Sequence, residues 1–575
     1  MRSSSKSNVV RLFSKIKFPW LLFVSGIGLT LFGVSFSLVL PLEVRTFVDN
    51  FKTGLSASRL VLIVGLLVGS TLFSVGSNFL LGVAGQQIVR DLRAEVSAHV
   101  IHLPIPFFDK TRSGEIASHI SSDTQKINDL ISNNISFFVS GTIMTIGSVV
   151  ILFMLSKILT LIIGLTITIM AISLIPIAQK ESVLQHATQN ELGKYSADLQ
   201  QGVSEIHLIK TSNAEDHVSD GLVSRIKTLY RANLGITKLS AIIDPIEYTL
   251  LMGTFFIVFV SGGSLVAKNI ISVGSLTSFL LYVFQIMTPI SSMSHTFAEF
   301  KSADGAAQTL IDLFDEPVEK DNPSQTRLAK GTNAKVTFTG VNFAYAGSDK
   351  KIINDLSLSF DPGKITALVG PSGGGKSTIL GLVERFYMTD SGTIRYGQED
   401  IKTLSLKDWR RNISYVSQET SILFGTVRDN LTFGLLSQPT DAQLMQALDA
   451  ASASDFVKQL PQGLDTPLSE QGQNLSGGQI QRLMIARAFL RPASIIIFDE
   501  ATANLDSASE STIETSIDRL RQDKTVIVVA HRLATVKNAD RIFFIEKGHV
   551  TGTGTHQELI QTHALYKQYV EEQLL

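Results

Sequence analysis

The 575-residue chain contains no cysteine. That excludes a disulfide framework, thiolate catalysis, cysteine-ligated zinc and iron–sulfur clusters. Charge is also scarce: Asp, Glu, Lys and Arg make up 18% of the residues, against about 25% in typical soluble domains. The two signs nearly cancel, leaving a net charge of −1. The basic excess of a general nucleic-acid binder is therefore missing, and no nucleic acid is expected as a partner. Intrinsic disorder needs low hydrophobicity and high net charge. A hydrophobic fraction of 44% and a mean hydropathy of +0.23 exclude it and point to lipid.

The missing charge is concentrated. Six stretches before residue 331 hold no Asp, Glu, Lys or Arg: Phe18–Leu42, Leu60–Val89, Leu130–Ser156, Ile158–Gln179, Tyr248–Ala267 and Asn269–Ala298. Crossing a bilayer core of about 30 Å takes roughly 20 helical residues. A single such stretch has a buried core helix as its lesser reading; six in half the chain read as six transmembrane helices, the fifth starting near residue 240. Basic residues precede Phe18–Leu42, but its apolar run outlasts a signal-peptide core and no small-residue cleavage site follows, so it reads as a retained span. Little more than Lys157 separates helices three and four, and little more than Lys268 separates five and six. The long connections, Arg90–Asp129 and Lys180–Glu247, follow helices two and four.

The N-terminal tail carries Arg2, Lys6, Arg11, Lys15 and Lys17 and no acid. By the positive-inside rule it is cytoplasmic, and six spans bring the chain back to the same side as both long connections. Those connections are expected to be helical. Around Ser182–Lys210, apolar and polar residues interleave at helical spacing without proline. Leu103–Ile116 is the exception: Pro104, Pro106 and Gly114 break the helix and present Phe107 and Phe108 on a short exposed turn.

After about Asp321 the composition changes. Residues 322–333 read as a polar linker between a transmembrane domain over 1–321 and an α/β soluble domain over 334–575. Gly370, Pro371, Ser372, Gly373, Gly374, Gly375, Lys376 and Ser377 fit the phosphate-loop pattern, with Thr378 next. The apolar run Thr366–Val369 precedes the loop, and a helical run follows it. The glycines let backbone N–H groups curl around phosphate oxygens at the positive end of that helix. Lys376 is placed for the β/γ-phosphates and Ser377 for Mg²⁺. Farther on, Ile495–Phe498 reads as a buried strand ending in Asp499 and Glu500. Asp499 can hold the Mg²⁺ shell and Glu500 can orient and deprotonate an attacking water; adjacent strand residues face opposite ways, so the two acids are expected to have different jobs.

Asn474-Leu475-Ser476-Gly477-Gly478-Gln479 resembles the signature of ATP-binding-cassette (ABC) ATPases. Other pieces of the family pattern occur in order. Tyr345 resembles the aromatic that stacks on adenine, and Gln418 the glutamine linking the Mg²⁺ site to the membrane domain. Residues 503–506, Ala-Asn-Leu-Asp, resemble the D-loop, and His531 the switch histidine over the γ-phosphate. Asn504 departs from the small residue commoner in that loop. The resemblance covers essentially the whole chain and is closest to bacterial homodimeric multidrug exporters. It implies a multi-domain membrane protein, with a six-helix all-α transmembrane domain of type IV exporter kind fused to an α/β P-loop nucleotide-binding domain.

It implies further that ATP and Mg²⁺ are bound and that Glu500, His531 and Gln418 are catalytic. A second copy of the chain is the expected partner, closing each nucleotide with Ser476, Gly477, Gly478 and Gln479. Ser377, Gln418 and Asp499 hold the metal. Phe107–Glu115 becomes a coupling element beside the glutamine loop, with a second near Ser204–Lys210. The expected function is ATP-driven export of hydrophobic or amphipathic compounds across the bacterial plasma membrane, with the N-terminus and ATPase domain in the cytoplasm. The alternative is a lipid or lipid-linked flippase of the same architecture. Within the membrane half, Asp244 and Glu247 share a helix face. They read as a solvated pair at the cytoplasmic end or as cation contacts. Phe32, Phe36, Phe255, Phe256, Phe279, Phe284 and Met287 are candidate pocket residues.

Overall fold

The computed structural model describes residues 7–51, 57–111, 113–321, 326–328, 333–348, 350–418, 421–469, 472, 474–499, 515, 517–519, 521, 524–529 and 536–574. They form two compact units. One comprises residues 1–101 and 114–316, the other residues 102–113 and 317–575.

The first unit is built of six long helices: Trp20–Asp49, Ala57–Ile101, Ser113–Leu155, Lys157–Ser204, Glu215–Ala267 and Val273–Asp315. By length and composition the first, second, third and fifth are able to cross a membrane. In the fourth and sixth, the described apolar stretches are Lys157–Thr166 and Val273–Ile286. Their outer surface is apolar: Leu72, Phe79, Met154, Leu161 and Phe256 are all exposed. So large an unpartnered apolar surface has lipid as its natural solvent.

Small and hydroxylated residues sit where the helices cross. A Cβ on Gly85 would lie 2.2 Å from Ser132 Oγ, and the Thr30 and Ser77 hydroxyls meet at 2.6 Å. At one end of the bundle, Asp49 accepts hydrogen bonds from Gly274 N at 2.8 Å and Ser272 Oγ at 2.7 Å. The last residue of the first helix thus covers one orphan N–H group at the start of the sixth.

Three local features differ from expectation. Ser156, not Lys157, separates the third and fourth helices: its backbone is extended, and its hydroxyl caps Leu159 N. The fifth and sixth are joined by residues 268–272, with Asn269 left-handed. The third helix does not begin at Leu130 but runs from Ser113, passing through two π-helical turns at His119–Asp123 and Leu130–Asn134. Each π turn shifts the helical phase and satisfies its backbone with wider hydrogen bonds.

The second unit is α/β. A four-stranded antiparallel sheet runs in the order Ile353–Phe360, Val336–Phe343, Ser391–Tyr396, Glu399–Asp400. A six-stranded sheet runs His549–Gly554, Arg541–Glu546, Ile365–Val369, Thr525–Val529, Ile495–Asp499, Ile413–Val416, and only its first pair is antiparallel. Its central strands are buried on both faces, which is why they read as unbroken apolar runs. Ile365, Ala367, Ile496 and Phe498 pack into a helical core. Leu368, Ile495 and Ile497 pack into a second core shared with the antiparallel sheet.

Candidate nucleotide site

The strand Ile365–Val369 is buried at every position and delivers the chain into the loop Gly370–Gly375. The helix Lys376–Val383 follows, with Gly375 left-handed at φ 106° as its cap. The loop is pressed against the end of the neighbouring strand. A Cβ on Gly370 would lie 2.0 Å from Ile545 O, and Gly548 N donates to Gly374 O at 3.0 Å. Only glycine fits that approach, which leaves the loop amides free of side-chain cover. The Lys376 ammonium curls over the loop and donates to Gly370 O at 2.8 Å and Pro371 O at 3.0 Å. Phosphate oxygens are stronger acceptors for that ammonium than these carbonyls are. Ser377 is exposed at the helix start, and Thr378 Oγ1 lies 2.9 Å from the Tyr345 hydroxyl.

Gly370, Gln418 and Asp499 all follow or end parallel strands at their carboxyl ends, the edge where open α/β sheets hold ligands. Asp499 is half-buried at the end of its strand and accepts from the Tyr415 hydroxyl at 2.8 Å. Gln418 is exposed two residues past Ile413–Val416. A hydroxyl, a carboxylate and an amide oxygen are all oxygen donors, the kind that suits Mg²⁺. Glu500, His531 and residues 503–506 lie outside the described residues.

Sequence reasoning missed Tyr415 and Glu384. Burial pushes the Glu384 carboxyl up to about 8, against the pull of Arg410, with Asp499 adding to the rise. Neither residue belongs to a motif; only the strand pairing and helix packing bring them to Asp499.

The signature residues open another helix, Gly477–Leu490. Ser476 and Gln479 form a reciprocal capping box: Ser476 Oγ accepts from Gln479 N at 3.3 Å, and Gln479 Oε1 accepts from Ser476 N at 2.9 Å. The Gln479 side chain is therefore committed to fixing the helix start. Ser476 and Gly477 stay exposed, presenting a hydroxyl and N–H groups at a positive helix end.

Tyr345 lies edge-on to Phe343, with ring centroids 5.1 Å apart, and to Tyr387 at 5.2 Å. Tyr387 in turn donates to Asp109 at 2.8 Å. Within the expected break at Leu103–Ile116 the chain forms the short helix Ile105–Phe108, and the third long helix starts at Ser113. Residues 102–113 belong to the second unit. Glu319 N donates to His102 O at 2.9 Å, and the Glu319 carboxylate takes both guanidinium nitrogens of Arg410, at 2.5 and 2.8 Å. A cavity of about 920 Å³ lies among Pro104, Asp109, Lys320, Tyr345, Tyr387 and Asp390. The second expected coupling element is the short helix Ile206–Thr211, with Ile206 and Leu208 exposed.

Among the candidate pocket residues, Phe279 belongs instead to a packed core with Leu152, Leu159 and Val258. Aromatic contacts join Phe32 and Phe36 to Phe73, and Phe255 to Phe284; Phe256 is exposed. The side chains of Asp244, Glu247 and Met287 lie outside the described residues.

Residues 20–290 match the family model of the ABC transporter transmembrane region, and residues 353–503 match that of the ABC transporter. The chain is 36% identical, over 99% of its length and 96% of the relative's, to a multidrug resistance ABC transporter ATP-binding and permease protein of Lactococcus lactis. It is 31% identical to an ATP-dependent lipid A-core flippase of Haemophilus influenzae, covering 97% of this chain and 96% of that protein. A solved structure of a bacterial Atm1-family ABC exporter with ATP bound aligns with a TM-score of 0.81 at 25% identity, covering 96% of this chain and 98% of that one.

Proposed function

The chain belongs to the ABC transporter family, an ATP-hydrolysing transporter with membrane and nucleotide-binding parts on one polypeptide, and on that premise we propose that two copies pair to export hydrophobic or amphipathic compounds. The observation that carries the reading is the joining, in one chain, of a helical bundle with an exposed apolar surface to a glycine loop shaped as a phosphate cradle. Residues 1–321 supply six spans, 322–333 the linker and 334–575 the ATPase domain. The N-terminus and the ATPase domain lie in the cytoplasm, and the bundle lies in the bacterial plasma membrane.

Tyr345 stacks on adenine, the amides of Gly370–Gly375 and the Lys376 ammonium take the phosphates, and Thr378 steadies the Tyr345 hydroxyl. The second copy closes the open side with the Ser476 hydroxyl and the N–H groups of Gly477 and Gly478. Glu500 takes the proton of the attacking water, and His531 contacts the γ-phosphate. Ser377, Asp499 and Gln418 would hold Mg²⁺, which neutralises phosphate charge when bound. Loss of the γ-phosphate removes the contacts that favour the closed pair, so ATP drives the cycle by its differential affinity for two arrangements.

Asp109 holds the turn after the phosphate-loop helix through Tyr387, and Glu319 holds Arg410. Tyr387→Phe deletes the bond donated to Asp109. ATP binding should stay within about twofold of wild type, since the one bond lost is remote from phosphate, while substrate stimulation of hydrolysis falls severalfold. ATPase titrations with and without a lipophilic substrate check this.

Similarity to lipid A-core flippases favours a second reading, in which the cargo is a lipid. ATPase stimulation in liposomes of defined composition separates the two. Export of small amphiphiles predicts stimulation by lipophilic compounds irrespective of headgroup, whereas a flippase is stimulated by one headgroup class and not by those compounds.

A further inference from the structure

Pro41 lies inside the first membrane helix. Its nitrogen carries no hydrogen, so the carbonyl four residues earlier, on Ser37, loses its intrahelical donor. Ser37 lies within the charge-free stretch, about 18 Å along the helix from Asp49, where water is not at hand to replace that donor. The sixth helix replaces it. Gln285 Nε2 donates to Ser37 O at 3.1 Å, and one turn away the Tyr282 hydroxyl donates to Leu38 O.

That contact fixes the amide. A carbonyl only accepts, so the NH₂ group of Gln285 must face it, and the amide oxygen is turned elsewhere. Gln285 Oε1 is buried and has no hydrogen-bond partner among the described residues. Along the same helix, Phe279, Val283 and Ile286 are buried, and Phe284 lies 5.3 Å from Phe255. A buried acceptor left empty is costly, and in native structures it calls for a partner.

We propose that the amide oxygen of Gln285, held by the Ser37 carbonyl that Pro41 leaves free, is the acceptor of a subsite for amphiphiles bearing an N–H donor, above all protonated amines. The proposal rests on the export reading and specifies its substrate class. An ammonium N–H makes a charge-assisted bond to such an oxygen, while the aromatic and aliphatic neighbours take the apolar body of the substrate. The oxygen is closed off where the first and sixth helices meet. A substrate that reaches it therefore binds the parted arrangement of these helices more tightly than the closed one and draws the protein toward it.

The test uses the full chain in liposomes and two probes sharing one aromatic-alkyl body. One ends in a protonated dimethylammonium with a single N–H, the other in a trimethylammonium of equal charge and no N–H. In Gln285→Leu, the apparent KM for the N–H probe is expected to rise about tenfold relative to that for the quaternary probe. Pro41→Ala returns a donor to Ser37, releases the amide and should shrink the same preference with residue 285 intact, which covers the case of Gln285→Leu failing to assemble. Equal shifts for both probes, or no shift in the ratio, would overturn the subsite and leave Gln285 as a helix tie or the seat of a buried water. A wild-type chain that moves neither probe with ATP would overturn the export reading itself, and the subsite with it.

Discussion

Glu500→Gln is expected to cut steady-state ATP hydrolysis by at least about 100-fold, within the usual span of a positioned general base, while ATP binding stays close to wild type. The amide keeps the size of the carboxylate but cannot take the proton of the attacking water. The phosphate cradle of Gly370–Lys376 belongs to another strand and loop and is untouched by the change. With hydrolysis blocked and binding intact, the closed pair should accumulate, seen as labelled ATP retained through rapid desalting. Turnover within a few-fold of wild type would show that another group serves as base.

Ser476→Arg is expected to silence hydrolysis in the partner's nucleotide site rather than in the mutant chain's own. Ser476 and Gly477 are exposed at a helix start, so a long cation there does not disturb a core. It replaces the hydroxyl and crowds the N–H groups that a second chain's γ-phosphate needs. Mixing Ser476→Arg chains with Lys376→Ala chains gives heterodimers with one site free of lesions and one carrying both. The mixture should occlude nucleotide at a substantial fraction of the wild-type level, while each parent occludes little, having a lesion in every site. A mixture no better than its parents contradicts the head-to-tail closure.

The cradle was legible in the sequence because its demand is local. Glycine spacing dictates a backbone that approaches Ile545 O too closely for any Cβ at Gly370, and the following Lys376 and Ser377 are fixed by the helix they open. The Ser476 cap was legible in part, as a signature, though its reciprocal use of Gln479 emerged only from the hydrogen bonds. The six apolar stretches marked the helices, but not their ends. Hydropathy cannot see that Ser156 turns extended while Lys157 begins a new helix, nor that the third helix starts well before its apolar run.

Long-range polar contacts left no mark in the sequence. Asp304 accepts from Ser7 Oγ at 2.6 Å and from Val9 N at 3.3 Å, anchoring a short helix, Asn8–Phe13, that no apolar run announced. Tyr415 on Asp499, Tyr387 on Asp109 and Arg410 on Glu319 likewise join residues far apart in the chain. Their partners are set by tertiary packing, which one sequence without a fold does not reveal. Pro41 did carry a readable signal, a helix-breaking residue inside an apolar run, but the group that answers it, Gln285, lies 244 positions on.

The central claim is that this chain uses ATP to move amphiphilic compounds across a membrane. Inverted membrane vesicles containing the wild-type chain, given a lipophilic cationic dye with and without ATP, test it most directly, with Glu500→Gln vesicles as the control. ATP-dependent dye accumulation by wild type and none by the mutant is the expected result. No ATP-dependent uptake across several such dyes, beside clear uptake of a hydrophilic peptide or sugar, would contradict it.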